Sequence, residues 1–226
     1  MRRIACLVGL LALSHAGAVD LSAITGEDAS SALRVALTQG AGKAVAHLGR
    51  ADGFLLNPEV KIPLPPQLQK AERKLRRFGM GGMADELITT MNRAAEAAVP
   101  EAKTLLIDAV KAMTLADAKA ILTGGDDSAT RYFRSKTQAP LAEKFRPIVV
   151  EATGKVGVTK SYNSFAGRAA RYGLLDPQAA NIDDYVTAQA LEGLYKMIAK
   201  EEQAIRKDPI GQASSLLQRV FGAVAR

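Results

Sequence analysis

The sequence predicts an all-α protein: a single-domain bundle of about seven to nine helices, with one Pro-rich extended arm packed across it. Three observations carry this expectation. Apolar residues recur at helical spacing along the 226-residue chain. Gly79, Gly124, Gly157 and Gly173 each follow such a run, where a helix would end. Only one stretch, 53–66, alternates apolar and polar residues, and no second alternating run exists to pair with it.

Residues 1–18 read as a cleaved signal peptide. Arg2 and Arg3 give a positive start, Ile4 to Leu13 an apolar run, and Ala16-Gly17-Ala18 a small-residue cleavage site before Val19. The apolar run falls well short of the ~20 residues that a spanning helix needs. The single cysteine, Cys6, lies inside this leader, so the expected mature domain, 19–226, carries no thiol. Thr25 with Asp28 resembles a capping box at the head of the first helix, whose stripe is Leu33, Leu37, Ala44 and Leu48. The arm follows: "GFLLNPEVKIPLPP" holds four of the nine prolines, and Val60, Ile62 and Leu64 form one apolar side. Phe54, Leu55, Leu56, Val60 and Ile62 are too apolar for a solvated linker, so the arm is expected to lie on helices.

Helical spacing then resumes. Met83, Leu87, Met91 and Ala98 mark one helix; Leu105, Leu106, Ala109, Val110 and Met113 mark the next. Thr114 with Asp117 caps a short helix through Leu122. Leu141, Phe145, Ile148, Val149, Ala152 and Val156 form a long apolar face, and Tyr162, Phe165, Ala169 and Tyr172 another. Asp183 to Arg206 carries Leu191, Leu194, Ile198 and Ile205 opposite a Lys/Glu-rich side, with Asn181 or Asp183 as its cap. A last helix is expected from about Pro209 to Val224. Arg77-Phe78-Gly79-Met80 and Arg171-Tyr172-Gly173-Leu174 read alike as helix ends, an αL glycine followed by an apolar residue that folds back.

Five motifs in order, "NPEVKIPLP", "MNRAAEAAVPEAK", "AKAILTGGDDSATRYFR", "NIDDYV" and "AIRKDP", resemble a bacterial family, domain of unknown function 4197, over about residues 21–223. The resemblance implies an exported, helical bacterial protein and supplies no activity, cofactor or catalytic residue.

The formal net charge is +7, and removal of Arg2 and Arg3 with the leader lowers it by two. The remaining excess favours anionic partners such as lipid head groups. Export, the absence of tryptophan and an aromatic content of 5% argue against nucleic acid, for want of stacking platforms. His47 is the one imidazole outside the leader, so neither a metal site nor a nucleophile scheme has its usual residues. No metal or cofactor is expected.

"ILTGGDDSATRYFR" is the most suggestive stretch. Gly124-Gly125-Asp126-Asp127 evokes a nucleotide cyclase, but helix-patterned sequence flanks it and Asp-Asp-Ser follows the glycines. A P-loop lacks its lysine and hydroxyl, and an EF-hand its further acidic positions. The expected role is a helix–loop–helix corner. A glycine ends one helix, Asp126 or Asp127 caps the next, and Asp127 pairs with Arg131 four residues on. Arg131, Tyr132 and Arg134, with Lys136, offer a candidate face for a phosphate or carboxylate. In "MNRAAEAAVPEAK", Asn92, Arg93 and Glu96 gather on one turn, as a structural polar network or a ligand site. Lys70, Arg73, Lys74, Arg76 and Arg77 form the densest basic run, a candidate contact for an anionic surface.

Two functions follow. The first is a non-catalytic binding or interaction module in the periplasm of a Gram-negative bacterium, with a lipid, an amphiphile or an envelope protein as partner. The alternative is a carboxylate-dependent hydrolase or lyase acting on an envelope polymer, with Glu96, Asp126 or Asp127 as the working acid. It requires a cleft holding an acid free to react.

Overall fold

A computed structural model describes residues 26–77, 81–155 and 181–207. The protein is all-helical, and among the described residues there is no strand. The leader, the Thr25 cap, the glycine ends at 79, 157 and 173, the expected helices around 162–172 and 209–224, and therefore the total number of helices lie outside these residues.

Helix α1 spans Gly26–Leu48 and buries its expected stripe together with Ala36, Gly40, Ala41 and Val45. A stripe this wide packs on two sides, against α4 (Ala102–Lys111) and α5 (Leu115–Leu122) on one and against α7 (Ile182–Lys207) on the other. Residues 51–65 then run without helix, and the arm expected to be extended over 53–66 is instead folded into turns at 51–56 and 58–60, held by bonds such as Asn57 N to Phe54 O at 3.2 Å, with only 61–65 free of turns. Asp52 takes a positive φ of 66°, and a Cβ at Gly53 would stand 2.4 Å from the Leu48 carbonyl, so only glycine fits there. Phe54, Val60, Ile62 and Leu64 are buried, while Glu59, Lys61 and Pro63 between them are exposed.

Helix α2 (Pro66–Arg77) starts with proline at its first position, where the missing N–H costs nothing. Helix α3 (Gly82–Ala98) buries Leu87, Met91, Ala94, Ala95 and Ala98 against α6 (Ser128–Thr153) and α7. A 3-10 turn, Val99–Glu101, with Pro100 inside it, joins α3 to α4. The expected capping box heads α5: Thr114 Oγ1 accepts from Asp117 N at 3.1 Å, and Asp117 accepts from Thr114 N at 2.9 Å.

Helix α6 runs unbroken through Pro140 and Pro147. The carbonyls those prolines leave without a donor belong to Lys136 and Glu143, both exposed, so water can take them. Leu141, Phe145 and Val149 are fully buried. Helix α7 packs on α1, α3 and α6 and buries Ile182, Val186, Ala190, Leu194, Tyr195 and Ile198. Asn181 caps it by accepting from Asp183 N at 2.8 Å. At Gly193 a Cβ would stand 2.6 Å from the Phe54 ring, so that missing side chain is the seat of Phe54.

Candidate functional site

The cluster on α3 holds the segment 51–65 in place. Asn92, 0% exposed, accepts from Ile62 N at 2.8 Å and donates to Ile62 O at 2.9 Å. One amide side chain thus replaces the neighbouring strand that the alternating run lacks. Glu96, one turn on and 5% exposed, accepts from Phe54 N at 3.0 Å and Leu55 N at 3.1 Å. Its other oxygen takes Arg93 at 2.7 Å, and Arg93 reaches Asp52 at 2.7 Å. The hydrogen bond that it donates to Glu96 holds the Arg93 guanidinium above its usual range. Both oxygens of Glu96 are committed to structure.

The Gly124–Asp127 corner differs from expectation in who caps it. Gly124 has no room for a Cβ, which would stand 2.6 Å from the Ala120 carbonyl and 2.7 Å from Ser128. Asp127 occupies the cap position of α6 but makes no cap hydrogen bond; it is exposed and pairs with Arg131. Asp126 is exposed. The N–H groups of Ala129 and Thr130 go instead to Glu202 of α7, at 3.0 and 2.9 Å, and Thr130 Oγ1 joins them at 2.8 Å. Arg206, one turn further, binds Glu202 and Ile121 O at 2.9 Å each and Ser128 Oγ at 2.7 Å. An acid therefore sits at the start of α6 and a cation at the end of α5, each where the helix dipole favours it. One signal for this existed in the sequence: Ile198, Glu202 and Ile205 share helical spacing, which puts a carboxylate on the buried stripe.

Downstream, Tyr132 turns away from any ligand. Its hydroxyl donates to Ala109 O at 2.8 Å inside the core, and burial pushes its pKa up. Arg131 and Arg134 face outward, and with them the fold assembles a cleft of about 460 Å³ between residues 59–61, the first turns of α6 and the middle of α7. Lys61, Thr130, Gln189 and Lys196 join the two arginines, over a floor that includes Val60, Gly193 and Tyr195. Glu59, Asp127 and Glu192 also line it.

Each of those acids is matched. Glu59 pairs with Lys200 at 2.7 Å, and the hydrogen bond from Lys200 holds its carboxyl below the usual range. Glu192 takes Arg134 on both oxygens, one at 2.9 Å, and its carboxyl is likewise held low. Lys196 donates to the Glu59 backbone carbonyl at 2.8 Å. Arg134 lies 4.5 Å over the Tyr195 ring, while Tyr195 and Thr137 hydroxyls meet at 2.9 Å below. Lys61 has no ion-pair partner among the described residues.

Beyond Arg134 a groove of about 710 Å³ continues between α6 and α7, with Ala139, Ala142, Ala188 and Leu191 along it. The Arg146–Asp184 ion pair, 2.9 Å, spans the two helices towards its other end. A separate depression of about 690 Å³ surrounds His47 and Leu56, on the far side of Glu59.

Of the basic run, Arg73, Arg76 and Arg77 are exposed, and Arg76 pairs with Asp85; the side chains of Lys70 and Lys74 lie outside the described residues. Among the described residues no three His, Cys, Asp or Glu side chains converge as metal ligands do, and no helix is long and apolar enough to cross a membrane. Sequence reasoning identified Arg131 and Arg134 but missed Lys61, Gln189 and Lys196, which converge only through the tertiary fold.

Residues 23–222 match the family model described as "Protein of unknown function (DUF4197)". Comparisons with curated proteins and with solved structures return no significant match.

Proposed function

We propose that this chain, which belongs to the DUF4197 family, is a non-catalytic binding module whose ligand places an anionic group in the cleft between residues 59–61, α6 and α7. One observation carries the reading: Lys61, Arg131, Arg134 and Lys196 converge there from three separate parts of the chain. Lys200 neutralises Glu59 from outside the cleft, so the cations outnumber the acids. The ion pairs on the rim are exposed and worth little each, so an incoming carboxylate or phosphate can displace Asp127 from Arg131 at small cost.

The carboxylate-dependent hydrolase or lyase loses its support from the same geometry. Glu96 has both oxygens occupied, Asp127 is paired and Asp126 stands exposed. The leader-like residues 1–18, with a family match that begins at residue 23, support action in the bacterial envelope. Cell fractionation and sequencing of the mature N-terminus test that part; retention in the cytoplasm with residues 1–18 intact overturns it.

The binding claim is tested by thermal unfolding in phosphate against chloride at matched ionic strength, for the wild type and for Lys61→Glu. A site-bound anion at 100-fold its Kd adds about 2.7 kcal/mol, or roughly 5–10 °C in midpoint for a domain of this size. General salting effects of phosphate act equally on both proteins. The expected result is a shift in the wild type that shrinks in Lys61→Glu. Equal shifts in both, or none in either, overturn the reading.

A further inference from the structure

We infer that the ligand is an anionic amphiphile with an unbranched alkyl tail, its head in the cationic cleft and its tail in the groove between α6 and α7. The inference rests on the proposed anion-binding role of the cleft and adds what the rest of the ligand must be.

The cleft and the groove share one residue, Arg134. That guanidinium is pinned, over the Tyr195 ring on one face and by both oxygens of Glu192 in its plane. It stands as a sill between the two cavities, and a head group seated beside Arg131 and Lys61 has the mouth of the groove next to it. The two cavities differ in chemistry. Charged side chains crowd the cleft, where each contact with an exposed ion is weak. In the groove, Ala139 and Ala142 of α6 face Ala188 and Leu191 of α7, and Thr187 adds a methyl group. Alanine at positions where surface helices usually carry long polar side chains opens a trough and leaves its walls mostly apolar, with Ser135, Gln138 and Glu143 also along it.

The trough has a definite length. Arg134 and Arg146 are twelve residues apart on one helix, about 18 Å at 1.5 Å per residue. The Arg146–Asp184 pair bridges the helices there, as Arg134–Glu192 does at the cleft. A trough about 18 Å long between two ion-paired crossbars has the length for a single extended alkyl chain. Small apolar ligands draw their affinity from area removed from water, while a few polar groups fix orientation. Cleft and groove divide those two tasks between them.

The test is calorimetric titration, below micelle formation and at fixed ionic strength, with inorganic phosphate, butyl, hexyl and octyl phosphate, octanoate, and octyl glucoside. An open groove removes about half of each methylene from water, so each two-carbon step should tighten binding roughly fourfold. Octanoate should follow octyl phosphate, and octyl glucoside, which lacks the charge, should bind far more weakly. Ala142→Glu should remove the dependence on chain length and leave inorganic phosphate binding as in the wild type. Ala139→Glu, at an exposed position, repeats the test should the first variant lose its fold. If phosphate binds and octyl phosphate binds no tighter, the amphiphile is wrong and the anion site stands. If neither phosphate nor any alkyl phosphate binds, both readings fail. A chain-length dependence that survives both variants, or octyl glucoside binding as tightly as octyl phosphate, places the tail elsewhere and overturns the inference.

Discussion

Glu202 shows how far a single side chain can be from the sequence neighbourhood it serves. It sits 5% exposed on α7, yet its carboxylate closes the N-terminus of α6, more than seventy residues earlier, and anchors Arg206. Removing it leaves the Ala129 and Thr130 N–H groups without an acceptor and a largely buried guanidinium without its counter-charge. Glu202→Ala should therefore cost about 3–5 kcal/mol, in the range found when one partner of a buried pair is deleted. Asp127→Ala should cost under about 0.5 kcal/mol, because Asp127 only pairs with Arg131 in solvent and caps nothing. Urea unfolding of both variants decides the matter. Comparable losses would mean that the corner is capped locally after all. Reading the sequence alone reverses this order, since Asp127 stands where a cap belongs and Glu202 reads as one acid among several on a charged helix.

At the scale of elements, the non-helical segment 51–65 depends on partners that are not strands. Asn92 satisfies both backbone groups of Ile62, Glu96 takes the N–H groups of Phe54 and Leu55, and Tyr185 donates to Pro63 O at 3.1 Å. Asn92→Ala should lose about 2–4 kcal/mol, because a buried N–H and a buried carbonyl are left without partners. Asn92→Asp should lose more, since a buried carboxylate would then face the carbonyls of Ile62 and Ile88. Gly193→Ala acts on the other anchor, driving a methyl into the Phe54 ring at an expected cost of about 1–3 kcal/mol. Hydrogen exchange at Phe54, Leu55 and Ile62 should rise in all three variants, and unchanged protection would refute the role given to these contacts. Most of the described helices were legible, because their stripes, the Thr114–Asp117 box and the Asn181 cap are local patterns of three to seven residues. Two things were not. The continuity of α6 through two prolines depends on which carbonyls face water. The inward turn of Tyr132 depends on a carbonyl of α4 that no spacing rule connects to it. The candidate cleft was half legible for the same reason: Arg131 and Arg134 share a helix, whereas Lys61 and Lys196 reach them only through packing.

For the whole molecule, the ionisable groups that the fold perturbs act at the two ends of the pH scale. The carboxyls of Glu59, Asp85, Asp117 and Glu192 are held low, chiefly by hydrogen bonds from Lys200, Arg76, the Thr114 backbone and Arg134 in turn. A carboxyl lowered in the folded state stabilises it fully above the ordinary value, 4.5 for Glu and 3.8 for Asp. That contribution is lost as pH falls through the lowered folded value. Tyr132, Tyr185 and Tyr195 are raised above 10.0 by burial, so the unfolded chain ionises first and their contribution fades as pH climbs past 10. Stability should thus form a plateau between about pH 5 and pH 10, with an acid limb chiefly from exposed ion pairs and an alkaline limb from tyrosines that burial desolvates, Tyr132 and Tyr195 with buried hydroxyls. The limbs should respond differently to salt, since exposed pairs are screened and buried hydroxyls are not. Raising the ionic strength should flatten the acid limb and leave the alkaline one in place. Tyr195→Phe should weaken the alkaline limb while leaving the acid limb unchanged. Thermal midpoints from pH 3 to 11 at two salt concentrations give the measurement. An alkaline limb that moves with salt, or that persists at full size in Tyr195→Phe, Tyr185→Phe and Tyr132→Phe alike, would show that the buried hydroxyls do not govern it.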